Sequence, residues 1–299
     1  MIEHDAEPGA GVRIAVPGGR VWSELLNPGA PGVPVVVVHG GPGTPHDYLR
    51  PVAGLLPAHP VLVYDQLGCG RSDRPDDSEL WRLSRFVDEL AEVVRAHGFD
   101  RFHLYAHSFG TMIACDLALR GSPGLASLVL HSPVLSVRRH EREMQDLLMR
   151  MPPRVASAIS AAVRGVPGGS AQADAMLHFA ERYLCRRQPW PDVLAHGSAA
   201  ASPIVRDAMW GPTEFQVSGN LRSYHRSDRL SELGIPVLLT CGEHDFTSPK
   251  VCRAYSRGFP DARVTVIPNA SHMAHLEEPE ECARQWGEFF ENVVNAVPS

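Results

Sequence analysis

Hydrophobic positions fall into two kinds of stretch along this 299-residue chain. The first kind is short and mostly apolar, as in the fully apolar Val35-Val36-Val37-Val38 and at 61–64, 101–106, 125–131 and 235–241, and a further strand is expected at 263–267. A run without polar alternation predicts a strand buried on both faces of a sheet. The second kind has helical spacing. It includes Phe86, Leu90, Val93 and Val94 within 83–97, and Met112, Ile113, Ala114, Leu117 and Ala118 within 111–120. Further helices are expected at 249–258 and 279–293. Strands alternating with helices across short loops predict a mostly parallel sheet covered by helices on both faces. Ahead of it, 12–16 and 20–26 flank Pro17-Gly18-Gly19 and predict an opening hairpin.

The alternation stops between 134 and 229, where no strand is evident. Helical spacing governs Met144, Leu147, Leu148 and Met151, then Val155, Ile159, Ala162 and Val163, then Met176, Ala180, Tyr183 and Leu184. Pro152-Pro153 and the Gly-rich 165–169 separate these runs. The expected organisation is an α/β core in two parts, 1–133 and 230–299, interrupted by an all-helical cap at 134–229.

Composition narrows the function. At 44% hydrophobic and 21% charged residues the chain has ample core. Its net charge of −6 argues against nucleic acid as a partner. No apolar run approaches the ~20 residues of a membrane span. Met1-Ile2-Glu3-His4-Asp5 lacks the basic and apolar blocks of a signal peptide, so a cytoplasmic protein is expected. Cys69, Cys115, Cys185, Cys241, Cys252 and Cys282 are scattered through apolar patterns. They read as buried free thiols rather than disulfides or metal ligands.

The candidate chemistry lies in loops that follow predicted strands. Ala106-His107-Ser108-Phe109-Gly110 places a serine on a strand-to-helix turn with small neighbours, the form of a nucleophile elbow. Asp245 lies in the loop after 235–241, and His272 in the loop after 263–267. Functional groups gather at the carboxyl ends of parallel strands. The chain order Ser, Asp, His is the one found in α/β-hydrolases. A serine hydroxyl needs a neutral imidazole to take its proton, and the imidazole needs a carboxylate to orient it. Ser108 is the expected nucleophile, His272 the base and Asp245 its partner. Backbone N–H groups of Gly41, in the loop His39-Gly40-Gly41-Pro42-Gly43, and of Phe109 are the expected oxyanion hole. Ser72, Glu243 and His275 are the rival residues, and His244 should point away from the site. His272-x-x-His275 lacks a third ligand at a familiar spacing, so no metal is expected.

Several ordered segments resemble the proline iminopeptidase family of α/β-hydrolases. They are His39-Gly40-Gly41-Pro42-Gly43 followed by His46-Asp47-Tyr48-Leu49; Tyr64 through Ser72; Gly242-Glu243-His244-Asp245; and Ser271 through Pro279. The resemblance runs from about 35 to 280. It implies release of an N-terminal proline or another small residue from short peptides or amino-acid amides, with no cofactor. Gly211-Pro212-Thr213-Glu214-Phe215 resembles the family's Gly-Pro-x-Glu-Phe, whose Glu binds the substrate amine. Glu214, Trp210, Phe215 and Phe246 are therefore the expected substrate-binding residues. Three positions depart from the family pattern: Ala106 for the first elbow glycine, Thr111 for a glycine after Gly110, and Phe246 where a second acidic residue often follows the aspartate. Phe246 leaves peptide, amide and ester preference open. The alternatives are a hydrolase or acyl transferase of the same fold acting on esters, lactones or a biosynthetic intermediate, and a non-catalytic binding protein. A small-molecule or short-peptide partner is expected, and oligomeric state is left open.

Overall fold

The structure, a computed structural model, describes residues 2–4 and 11–295. Its strands are β1 (Ile2–His4), β2 (Val12–Val16), β3 (Gly19–Leu26), β4 (Val35–Val38), β5 (Val61–Tyr64), β6 (Phe102–His107), β7 (Leu125–His131), β8 (Val237–Gly242) and β9 (Ala262–Ile267). They form one sheet in the order β1-β2-β3-β5-β4-β6-β7-β8-β9. The pairings from β1 to β5 through β2 and β3 are antiparallel. Those from β5 through β4 to β9 are parallel. The expected hairpin is β2–β3, closing at Val16 opposite Gly19. Strand β1 extends the antiparallel edge beyond what the hydrophobic pattern indicated.

The apolar central strands divide their side chains between two cores. Val36, Val38, Leu62, Tyr64, Leu104 and Ala106 meet the helices Leu83–Ala96 and Gly110–Leu119. Val35, Val37, Val61, Val63 and Tyr105 meet Val52, Trp286 and Phe290 on the opposite face. A wholly apolar strand is what this two-sided burial requires, at about 1.5–3 kcal/mol for each fully buried valine. All six cysteines are free and buried.

Between β7 and β8 lie five α-helices among the described residues: Val137–Met149, Pro153–Val163, Gly169–Tyr183, Asp192–Ala199 and Pro203–Met209. Only isolated bridges, Ser136 with His225 and Thr213 with Gln216, interrupt the helical character of 134–229. Met144, Leu147, Met151, Ile159, Ala175, Phe179 and Phe215 make a small core within this insert. One residue from outside completes it, Phe246 from the loop after β8. The later part of the insert, including Val205, Met209 and Trp210, packs instead into the core of the sheet. Among the described residues no helix is long and apolar enough to cross a membrane.

Candidate active site

Ser108 sits between β6 and the helix Gly110–Leu119 with φ +53°, a left-handed conformation that serine rarely adopts. Holding it there costs about 1–3 kcal/mol and turns the side chain out of the sheet. The turn closes because Gly110 has no side chain: a Cβ there would lie 2.4 Å from the Val38 carbonyl oxygen. Ala106 is fully buried and small enough for the strand. Thr111 has work of its own. Its hydroxyl donates to the Ser108 carbonyl at 2.6 Å and accepts from the Val134 N–H at 3.0 Å, tying the elbow to the chain beyond β7.

The loops after β8 and β9 bring Asp245 and His272 together. Gly242 permits it, since a Cβ there would lie 2.3 Å from the Ser271 carbonyl oxygen. His272 Nδ1 donates to Asp245 Oδ1 at 2.9 Å, and both side chains are buried. Asp245 also accepts from the Thr247 N–H at 2.8 Å and the Ser132 hydroxyl at 2.5 Å. Burial pushes the Asp245 carboxyl upward, and the bonds from Ser132 and Thr247 oppose it. Burial pushes His272 down, so its imidazole is neutral near pH 7, the state a general base requires. Ser132 escaped the sequence reading. The available signal was its place at the carboxyl end of β7, next to β8 in the sheet.

The surrounding histidines are structural. The Tyr48 hydroxyl accepts from the Gly40 N–H at 2.7 Å and donates to His107 Nδ1 at 2.9 Å. That assignment leaves the His107 Nε2 proton for the His272 carbonyl, 3.0 Å away, where His131 Nε2 also donates at 3.3 Å. Two histidine side chains thus fix the backbone of His272. His275, the rival base, spends Nε2 on the Tyr48 carbonyl at 2.9 Å and has no carboxylate partner among the described residues. Glu243 is exposed and receives the Asn269 N–H. His244 faces Glu243 on the surface, away from the site. Ser72 is committed to the Asp65 carbonyl at 2.6 Å.

Two buried groupings carry metal-ligand side chains: His39, Asp65 and Cys69, and His46, Asp47 and Asp65. Hydrogen bonds engage the ligand atoms of His39 and of Asp65, the residue the two groupings share. Gln66 N–H donates to His39 Nε2 at 2.9 Å, and the His46 and Arg71 N–H groups donate to the Asp65 carboxylate. These bonds bind the loop after β4 to the loop after β5 and explain the Asp65-to-Ser72 motif without a metal.

Ser108 and His272 open onto one cavity of about 240 Å³, which Gly41, Tyr48, Glu214 and Phe246 also line. Among the described residues the N–H groups of Gly41 and Phe109 donate to no protein acceptor. Glu214 exposes its carboxylate to this cavity, where no protein group pairs with it among the described residues. Enclosure by protein raises its carboxyl to about 7, while Arg206 on the same wall pulls it down. Antiparallel Thr213 and Gln216 make Glu214 and Phe215 the two residues of a tight turn, so they part company. Phe215 packs inward, its ring 4.8 Å from that of Phe179. Trp210 is likewise buried, edge-on to His140 at 5.1 Å. Neither lines the cavity. The expectation that both touch substrate therefore gives way to a supporting place behind its wall.

Residues 33–279 match the model of the alpha/beta hydrolase fold. The proline iminopeptidase of Heyndrickxia coagulans is 36% identical over 282 residues, covering 94% of this chain and 98% of that relative. The chain belongs to the proline iminopeptidase family of α/β-hydrolases. Two solved structures superpose with a TM-score of 0.89 at 32% identity. One is the proline iminopeptidase of Mycobacterium smegmatis, with 96% of this chain and 99% of that one covered. The other is VinJ, with 96% and 100% covered. As a family member the chain is a hydrolase with an α/β-hydrolase core. Its departures at Ala106 and Thr111 leave the elbow closed, whereas Phe246 changes the character of the cavity. That ring lies flat on the His272 imidazole, with centroids 3.9 Å apart and planes 24° from parallel.

Proposed function

We propose that this protein is a serine hydrolase that cleaves the amide bond after an N-terminal residue, proline or another small one, in short peptides or amino-acid amides. The observation that carries this reading is the unpaired Glu214 carboxylate on the cavity shared by Ser108 and His272. A carboxylate that faces the cavity with no partner among the described residues can take a cation there, and a substrate amine is such a cation.

The proposed mechanism follows from the geometry. Glu214 holds the ammonium group, which places the first carbonyl carbon beside Ser108. His272 Nε2 takes the Ser108 proton as the hydroxyl oxygen attacks that carbon. Asp245 stabilises the imidazolium that forms. The N–H groups of Gly41 and Phe109 receive the oxyanion. The tetrahedral intermediate collapses, His272 returns the proton to the leaving amine, and an ester to Ser108 remains. Water, deprotonated by His272, then attacks the ester, and His272 returns that proton to Ser108 Oγ as the free amino acid leaves. No step calls for a cofactor. The helical insert at 134–229 acts as the cap that supplies Glu214 and closes the cavity. Six reduced thiols fit a cytoplasmic setting.

The test is a panel of prolyl, alanyl and other aminoacyl anilides and amides beside simple esters, with Ser108→Ala as the blank. Turnover of free-amine substrates above their N-acylated forms supports the reading. Ester hydrolysis without any preference for an amine moves the assignment to an esterase of the same fold.

A further inference from the structure

We infer that Phe246 is a positioning residue for His272, through which the apolar core of the helical insert fixes the plane of the base and keeps water from its face. The inference rests on His272 being the base and needs no particular substrate. Phe246 follows Asp245 in the chain, so one short loop delivers both contacts to the imidazole. Asp245 takes Nδ1 at 2.9 Å, and Phe246 covers the ring at 3.9 Å.

A single hydrogen bond at Nδ1 leaves the imidazole free to turn about the bond axis, which would swing Nε2 away from Ser108. A ring stacked 24° from parallel removes that freedom. The imidazole also meets the His107 ring at 4.6 Å, tilted by 57°. Phe246 is itself anchored, since it packs among Met144, Leu147, Phe179 and Phe215 of the insert and meets the His140 ring edge-on at 6.0 Å. Backbone bonds couple the same two parts. The His272 N–H donates to the Tyr183 carbonyl at 3.1 Å, and the Met273 N–H to the Leu184 carbonyl at 3.0 Å. The insert therefore grips the base through both its ring and its main chain.

The titratable groups around His272 are Asp245 after β8, His107 from β6, His131 from β7, His140 from Val137–Met149, and His275 three residues on. Burial holds all four of these histidines below their ordinary value, so all four are neutral near pH 7. Burial also depresses His272 itself. Water admitted to its face raises it.

The experiment compares wild type, Phe246→Leu and Phe246→Tyr on a neutral ester, p-nitrophenyl acetate, across pH. Leucine keeps the apolar contact with the insert and loses the flat ring. Tyrosine keeps the ring. The expected result for Phe246→Leu is a kcat lower by about 10- to 100-fold, the scale of a misplaced catalytic group. Its KM should stay within about twofold, and the acid limb of kcat/KM should move to higher pH. Phe246→Tyr should restore kcat and the limb. Wild-type kcat and limb in the leucine variant, a loss confined to KM, or failure of tyrosine to rescue would each overturn the inference. If Phe246→Leu does not fold, Phe246→Met replaces it, and the downfield proton resonance of His272 Nδ1–H reports the same titration. Ester activity that survives His272→Ala would instead strike the assignment of the base.

Discussion

Ser108 and His272 open onto one cavity and Asp245 holds His272 from behind, so the three should fail as a unit. Ser108→Ala and His272→Ala should each lower kcat by on the order of 10⁴-fold or more. His275→Ala should be far milder, because Nε2 of His275 is committed to the Tyr48 carbonyl. Steady-state kinetics on one anilide and one ester ranks the three, and a reversed ranking of the histidines moves the base to His275. Glu214 sets a second prediction. Its carboxyl titrates at about 7, and it must be ionised to hold an ammonium group. Below pH 7 the protonated form predominates, so kcat/KM for amino substrates should fall about tenfold per unit. Above about pH 8 the substrate's own α-amine loses its proton and kcat/KM falls again. A neutral ester escapes both limits, and its acid limb follows His272 at lower pH. Glu214→Gln should raise KM for amino substrates by tens-fold, the equivalent of roughly 2 kcal/mol, and leave the ester nearly unchanged. The triad positions were legible because Ser108, Asp245 and His272 each follow a strand, in the chain order of α/β-hydrolases. Ser132 was not, since its bond to Asp245 depends on which strand lies beside which. Phe215 was misplaced for a similar reason, since a two-residue turn sends neighbouring side chains to opposite sides, and Trp210 because the end of the helix Pro203–Met209 packs into the core of the sheet.

At the level of elements, the elbow is a packing problem before it is a catalytic one. The helix Gly110–Leu119 passes so close to β4 that Gly110→Ala would set a methyl group against the Val38 and His39 carbonyls, at 2.4 and 2.7 Å. Backbone cannot yield as a flexible side chain can. The substitution should cost about 1–3 kcal/mol, and a thermal melt should show a Tm lower by several degrees. Thr111→Gly, which restores the residue common in the family, should also destabilise, because it deletes the two hydrogen bonds joining Ser108 to Val134. A Tm at or above wild type would show that the hydroxyl carries no stabilising bond. Hydrophobic runs located β4 to β8 and the long helices well, since two-sided burial demands an unbroken apolar pattern. Short elements such as β1, His46–Leu49 and Val52–Leu55 left no such trace. They are held by neighbours rather than by their own periodicity.

Across the whole molecule, the cavity is an interface between the sheet and its insert. The sheet loops provide Gly41, Ser108 and His272; the insert provides Leu184, Arg206 and Glu214. That division was readable as a break in alternation, but its consequence for substrates needs the assembled walls. About 240 Å³ accommodates one residue and little beyond it. Glu214 lies on the insert's wall of that cavity, so an acyl group on the substrate nitrogen should meet two obstacles at once. It removes the positive charge that Glu214 is proposed to bind, worth roughly 2 kcal/mol, and it adds atoms to a cavity of about 240 Å³. An aminoacyl anilide should therefore exceed its N-acetyl counterpart in kcat/KM by at least about 30-fold. A further N-terminal residue should cost more than the acetyl group, since it is larger. Glu214→Gln separates the two obstacles. It should narrow the gap between free and acetylated substrates by removing the charge preference, while the steric part persists. Equal rates on free and acetylated anilides in the wild type would mean that the insert does not close over the amine, and the aminopeptidase reading would fall with it.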